Sequence, residues 1–167
     1  LAALQALNEN KKDSDPILVV TPSDQIIQNQ ATFAKAIQDC VAVVAGDQNK
    51  KTIVILGITP DLPETGYGYI QRNSTKGKQN EFTVMQFVEK PDAKMAQAYL
   101  SDGNYLWNSG MFMFKASVYL NELEKFEPEI LSACKKSCTT ENIDSDFIRI
   151  DNDAFHQCPH ESIDYAV

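Results

Sequence analysis

The sequence predicts an α/β fold, with a mixed, mainly parallel sheet flanked by helices, on three observations. Two continuous apolar runs, Ile17-Leu18-Val19-Val20 and Thr52-Ile53-Val54-Ile55-Leu56, have the length and composition of strands buried on both faces. Between them Phe33, Ala36, Ile37, Cys40, Val41 and Val44 recur at spacings of three and four, which marks one face of a helix over 29–45. A third run, Phe82 to Val88, alternates as a strand does. Strand, helix and strand at this spacing make a βαβ unit, with a right-handed crossover expected. At 167 residues the chain is about one domain long, and residues 1–167 are read as a single domain.

The elements follow in order. Leu1–Asn8 reads as a helix with Leu and Ala on one face, and Asn10–Asp15 as a polar turn. Thr21-Pro22-Ser23-Asp24 stops the first strand, which puts Asp24 in the loop at its C-terminal end. Gly57–Pro63 is expected to be a loop. In the Glu64–Ile70 stretch two glycines alternate with tyrosines, which suits either close approach of backbone to a ligand or a bulge. Asn73–Asn80 reads as a hairpin-like turn. Asp92–Leu100 is a helix with Asp92 as N-cap. Gly103–Gly110 is read as a loop, Met111–Lys115 as a strand, and Ser117–Phe126 and Glu127–Lys136 as two helices separated near Pro128. Residues 137–146 are a polar surface loop, Phe147–Ile150 a short apolar piece, Asp153–Gln157 one helical turn, and Ser162–Val167 an apolar end.

The strand at Phe82–Val88 leads into Glu89-Lys90-Pro91, and Pro91 blocks further pairing. Opposite charges at the C-terminal end of a strand lie where open α/β sheets bind ligands. Neighbouring strand residues face opposite ways, so Glu89 and Lys90 are expected to grip two parts of one ligand. Taken alone, the same five residues describe a solvated strand end before a helix better than a ligand site.

Composition narrows the function classes. The chain is 43% hydrophobic and 23% charged with a formal net charge of −8, and no cluster of Lys and Arg interleaves with aromatics. Non-specific nucleic-acid binding is therefore not expected. No apolar run approaches the roughly 18 residues of a membrane span, no signal peptide is recognisable, and a cytoplasmic location is expected. Cys40, Cys134, Cys138 and Cys158 include no C-x-x-C. Cys134 and Cys138 share a helical face near His156 and His160, but the paired spacings of structural zinc sites are not reproduced.

Five stretches fall in one order: Thr21-Pro22-Ser23-Asp24, Glu64-Thr65-Gly66-Tyr67-Gly68-Tyr69-Ile70, Phe87-Val88-Glu89-Lys90-Pro91, Trp107-Asn108-Ser109-Gly110-Met111-Phe112 and Ser162-Ile163-Asp164-Tyr165-Ala166. In that order the chain resembles bacterial mannose-1-phosphate guanylyltransferases of the sugar-nucleotidyltransferase superfamily, many of which form half of a bifunctional enzyme with phosphomannose isomerase. The resemblance implies a Rossmann-like nucleotide-diphospho-sugar transferase fold, incomplete here at both ends. It also implies transfer of GMP from GTP to mannose 1-phosphate, giving GDP-mannose and pyrophosphate. The Gly-rich loop that opens the family's sequences, and holds the triphosphate there, has no counterpart before Leu1. The chain is thus expected to keep the sugar-phosphate side and to be a poor catalyst alone. Gln25 stands where the family usually has His.

What the resemblance implies for residues is specific. Asp24 and Asp164 are expected to hold Mg²⁺ or another divalent cation, which suits two polyanions that must meet. Glu89 would accept hydrogen bonds from sugar hydroxyls, and Lys90 would meet the sugar phosphate as a point charge. Asn108 would bond a hydroxyl, Gly68 would offer its backbone N–H, Gly110 would allow close approach, and Glu64 would join the acceptor contacts. Asp24, Lys90 and Asp164 are the expected catalytic set. Tyr67 and Trp107 either wall the sugar pocket or belong to the core. GTP and mannose 1-phosphate are the expected partners, with no nucleic acid and no membrane, and exposed apolar sheet edges lead to an expected homodimer. Two alternatives stand beside this reading. One is a non-catalytic sugar-phosphate-binding or interaction module of the same fold, and the other is a nucleotidyltransferase for another sugar 1-phosphate.

Overall fold

A computed structural model describes residues 1–9, 14–48, 51–73, 81–138, 143–144 and 147–166. The polar turn at Asn10–Asp15, the hairpin-like turn at Asn73–Asn80 and the loop at 137–146 lie partly outside the described residues.

The elements run α1 (Ala2–Glu9), β1 (Ile17–Val20), α2 (Gln30–Gly46), β2 (Ile53–Ile58), β3 (Tyr69–Arg72), β4 (Val84–Val88), α3 (Ala93–Asp102), β5 (Tyr105–Lys115), α4 (Ala116–Phe126), α5 (Pro128–Ser137), β6 (Ile143–Asp144), β7 (Phe147–Ile148), α6 (Asn152–His156) and α7 (Ile163–Ala166). Strands β1, β5, β3 and β4 neighbour one another in that order, and β2 also pairs with β5. The ladders of β3 with β4 and of β3 with β5 are antiparallel. The fold is therefore the expected mixed α/β arrangement, a sheet accompanied by helices.

The chain forms two compact units. One comprises Leu1–Val20, Ile26–Val54 and Met113–Val167, and the other Thr21–Gln25 and Ile55–Phe112. In the first unit α1 packs on α4, α4 on α5 and α5 on α6. Its core includes Ala3, Val44, Met113, Phe114, Val118, Leu123 and Leu131. Helix α2 starts where expected, because the Asn29 side chain accepts from the Thr32 N–H at 3.0 Å. Such a cap is worth about 1 kcal/mol. The start of α4 is fixed by Asp15, whose carboxylate accepts from the Ser117 N–H at 3.0 Å and from the Ser117 hydroxyl.

The second unit is built on Tyr69, Ala96, Tyr99 and Tyr105, with Val88 and Trp107 packed against them. Helix α3 begins at the Asp92 cap, which accepts from the Met95 N–H at 2.8 Å. It ends at Gly103 with φ of +75°, a left-handed closure natural to glycine. Tyr105 stacks on Tyr99 with ring centroids 4.0 Å apart. Burial, with Tyr99 and Asp102 nearby, pushes the Tyr105 phenol above its ordinary range.

Three expectations are corrected. The runs at 17–20 and 52–56 do form strands, but neither is buried on both faces. Val19 and Val20 are 43% and 41% exposed, and β2 is half-buried with an exposed end at Gly57 and Ile58. Each has β5 as its neighbour among the described strands, so the apolar run encodes the strand without encoding its cover. Second, β2 continues through Gly57 and Ile58, which were expected in a loop. Third, Trp107–Gly110 is strand rather than loop. Strand β5 begins at Tyr105, because pairing of Tyr69 with Trp107 and a 2.7 Å bond from the Asn108 N–H to the Gly68 carbonyl hold the segment extended.

Candidate functional site

The second unit gathers most of the sequence-predicted site residues. Gly68 lies immediately before β3 and is buried. A Cβ on it would stand 2.6 Å from Glu89 Oε2, 3.0 Å from Phe87 Cζ and 3.4 Å from Asn108 Cβ. Three segments far apart in sequence thus meet at one bare Cα, and only glycine admits the other two that near. Phe87 stands opposite Ile70 in the β3–β4 ladder, which brings the end of β4 beside Gly68.

Glu89 and Lys90 lie just beyond the end of β4. They do not follow the strand's alternation. Lys90 has φ of +45°, the one positive value at a non-glycine among the described residues. That turn carries its ammonium back to within 3.2 Å of Glu89 Oε1. The left-handed conformation costs a lysine about 1–2 kcal/mol. The Glu89 side chain is 14% exposed and the Lys90 side chain 65% exposed, so the carboxylate is set in the wall and the ammonium reaches solvent. The expectation that the two face opposite ways is therefore replaced by an ion pair at the rim.

Asn108 and Gly110 belong to β5. The Asn108 carboxamide oxygen accepts from the Gly110 N–H at 3.0 Å. Gly110 has φ of +71°, so the strand is kinked there, and a Cβ on it would lie 3.2 Å from Pro22 Cγ. Ser109 between them is buried. Its hydroxyl donates to the Leu56 carbonyl at 2.6 Å and accepts from the Met111 N–H at 3.2 Å. The Gln25 carboxamide donates to the Ser109 carbonyl at 2.8 Å. The loop carrying Asp24 is thus attached to β5 on both sides of that residue. Asp24 itself is exposed, with no hydrogen bond or ion pair to its carboxylate among the described residues.

Glu64 is turned onto its own loop. Its Oε1 accepts from the N–H groups of Thr65 and Gly66, at 3.1 and 3.2 Å. Its carbonyl accepts from the fully buried Tyr69 hydroxyl at 2.8 Å. The core therefore holds the loop at both ends. Of the two readings of Trp107, the core contact is present: it pairs with Tyr69 across the ladder and packs, partly buried, against the Tyr69 cluster. Tyr67 rests edge-on against it with centroids 5.2 Å apart, and is itself half exposed.

Asp164 belongs to the first unit, near the start of α7. It is half-buried and accepts from the Ser162 hydroxyl at 3.1 Å. No group of three or more His, Cys, Asp or Glu is arranged to hold a metal among the described residues. Cys134 and Cys158 do line one cavity with His160 and Glu161. Burial and the neighbouring Cys134 push the Cys158 thiol upward, away from the reactive thiolate form.

Sequence reasoning missed Phe87 as part of the wall, and Ser109 and Gln25 as links. For Ser109 a signal existed, since a serine within an apolar strand must find a hydrogen-bond partner when buried. No signal of that kind pointed from Gln25 to a carbonyl 84 positions away.

The sequence pattern described as "Nucleotidyl transferase" matches residues 1–154. The mannose-1-phosphate guanylyltransferase of Escherichia coli (strain K12) is 45% identical over 170 residues, covering 100% of this chain and 34% of that protein. The chain spans about a third of the length of the curated relatives it matches. Among solved structures, mannose-6-phosphate isomerase from Helicobacter pylori superposes with a TM-score of 0.77 at 31% identity, covering 99% of this chain and 61% of that one. Mannose-1-phosphate geranyltransferase from Thermus thermophilus gives a TM-score of 0.80 at 25% identity, over 99% and 44% of the two chains. No helix among the described residues is long and apolar enough to cross a membrane. A pattern match across nearly the whole chain, with the fold and the gathered motifs, leaves one assignment: the chain belongs to the nucleotidyl transferase family.

Proposed function

We propose that this chain carries the acceptor-sugar side of a GMP transfer, in which GTP and mannose 1-phosphate give GDP-mannose and pyrophosphate. The observation that carries the reading is the convergence of Glu89 and Asn108 on the bare Cα of Gly68. It sets a largely buried carboxylate and a carboxamide-bearing residue side by side against one stretch of backbone, polar groups of the kind that orient a sugar. The guanylyltransferase name of the similar proteins supports the choice of sugar phosphate and nucleotide.

In this reading Glu89 accepts hydrogen bonds from sugar hydroxyls, held in place by the burial of its side chain. Lys90 leaves Glu89 for the sugar phosphate, an exchange its exposed position permits. Asn108 would bond a sugar hydroxyl through its carboxamide, whose oxygen also accepts from the Gly110 N–H. Gly68 and Gly110 let backbone lie close to the ligand, and Glu64 fixes the Gly66–Gly68 loop while keeping its second oxygen for the acceptor. A divalent cation such as Mg²⁺, when bound, neutralises phosphate charge at the attacked phosphorus. Asp24 and Asp164 would each offer a hard oxygen ligand to such an ion, and Mg²⁺ needs only one or two carboxylates, taking its other ligands from water and substrate phosphates. Asp24, Lys90 and Asp164 form the proposed catalytic set, working by positioning and charge neutralisation rather than through a covalent intermediate. A cytoplasmic setting fits a reaction on two soluble phosphate compounds.

Titration calorimetry with mannose 1-phosphate, glucose 1-phosphate and inorganic phosphate tests the proposal. Mannose 1-phosphate is expected to bind the chain most tightly. Equal affinity for all three, or preference for the glucose compound, overturns the acceptor assignment.

A further inference from the structure

We infer that Gln25 is a positioning residue that sets where the Asp24 carboxylate stands relative to Asn108, and so governs divalent-cation binding at the proposed site; this inference rests on the reading of Asp24 given above. The loop Thr21–Gln25 follows β1 and has two attachments on β5. At one end, Pro22 lies against Gly110, whose missing Cβ would come within 3.2 Å of Pro22 Cγ. At the other, the Gln25 carboxamide donates to the Ser109 carbonyl at 2.8 Å. Asp24 sits between these two points.

The Ser109 carbonyl is a firm point to hang a loop from. Its own side chain is buried at 4% exposure and is tied to the Leu56 carbonyl and the Met111 N–H. The positive φ of Gly110 kinks β5 next to that carbonyl. Asn108, one residue earlier, is fixed by the Gly110 N–H and by its own bond to the Gly68 carbonyl. The Gln25 amide therefore ties the backbone of the loop that carries Asp24 to β5, next to Asn108. Its donor is neutral, so the link does not titrate and adds no charge beside Asp24. A carboxylate that must share an ion with substrate oxygens gains from being held before the ion arrives, because ordering it then costs affinity.

The test uses three substitutions and Mn²⁺ as a paramagnetic probe, titrated in the presence of mannose 1-phosphate and read by electron paramagnetic resonance. Gln25→Met keeps the length and removes the donor. Loss of one hydrogen bond of about 1–1.5 kcal/mol corresponds to roughly five- to tenfold weaker Mn²⁺ binding. Binding of mannose 1-phosphate without metal is expected to stay as in the parent chain, since Gln25 is exposed, and the melting temperature to fall by only about 2–6 °C with the lost hydrogen bond. Gln25→His restores an N–H donor and is expected to recover Mn²⁺ affinity, with a new pH dependence near imidazole titration. Asp24→Ala is the control and is expected to weaken Mn²⁺ at least as much. Unchanged Mn²⁺ affinity in Gln25→Met alongside a loss in Asp24→Ala overturns the role of Gln25 and leaves Asp24 standing. Failure of Gln25→His to recover the affinity also overturns it. No change in Asp24→Ala overturns the metal reading of Asp24, and this inference with it.

Discussion

Replacing Gly68 by alanine separates the stability of the fold from the placement of the Glu89 carboxylate. The new Cβ would lie 2.6 Å from Glu89 Oε2, whereas ordinary contact begins near 3.4 Å, so the carboxylate must withdraw by about 0.8 Å. Oε2 is the far end of a flexible side chain, and rotation of the Glu89 torsions relieves the overlap at little cost. Phe87 Cζ at 3.0 Å and Asn108 Cβ at 3.4 Å are closer to tolerable and give by a few tenths of an ångström. The stability cost should then fall at the lower edge of overpacking, about 1 kcal/mol, which in a chain of this size lowers the melting temperature by about 2–4 °C. The acceptor loses more, because the displaced carboxylate no longer stands where hydroxyls would meet it. A charged hydrogen bond is worth about 1.5–3 kcal/mol, so affinity for mannose 1-phosphate should fall roughly 10- to 150-fold. Calorimetry and thermal denaturation of the same preparation measure both. Unchanged affinity in a normally folded Gly68→Ala chain refutes the placement of the acceptor over Gly68.

Two further outcomes follow from the geometry. Ser109→Ala strands the Leu56 carbonyl and removes the Met111 contact, and should cost about 1–3 kcal/mol; a melting temperature equal to the parent's contradicts that. Lys90→Gly should melt above Lys90→Ala by a few tenths to about 1 kcal/mol, because glycine relieves the +45° torsion while losing more freedom on folding. Both should lose phosphate affinity equally, and the opposite melting order argues against backbone strain at this position.

What could be read from the sequence was local. The cap at Asp92 and the helix after it follow from one side chain and the residues next to it, and so does the cap at Asn29. The strand at 105–110 was hidden, because Asn108, Ser109 and Gly110 have the composition of a turn, while the strand they continue is set by the pairing of Tyr105–Trp107 with a segment almost forty positions away. Glu89 and Lys90 were legible as a charged pair at a strand end. Their mutual contact was not, since it depends on a left-handed torsion that sequence alone gives no reason to expect at a lysine. Trp107 was equally suited to wall or core by type, and its pairing with Tyr69 supplies the core contact. The link from Gln25 to Ser109 joins two motifs through a backbone carbonyl, and a backbone acceptor leaves no trace in residue identity.

The central claim is that Glu89 holds the sugar and Lys90 the phosphate of one acceptor. Calorimetric titration of the parent chain, Glu89→Ala and Lys90→Ala with both mannose and mannose 1-phosphate tests it directly. Glu89→Ala should weaken both ligands by a similar factor, whereas Lys90→Ala should weaken mannose 1-phosphate and leave mannose unchanged. Parent-like binding of mannose 1-phosphate by both variants would contradict the account.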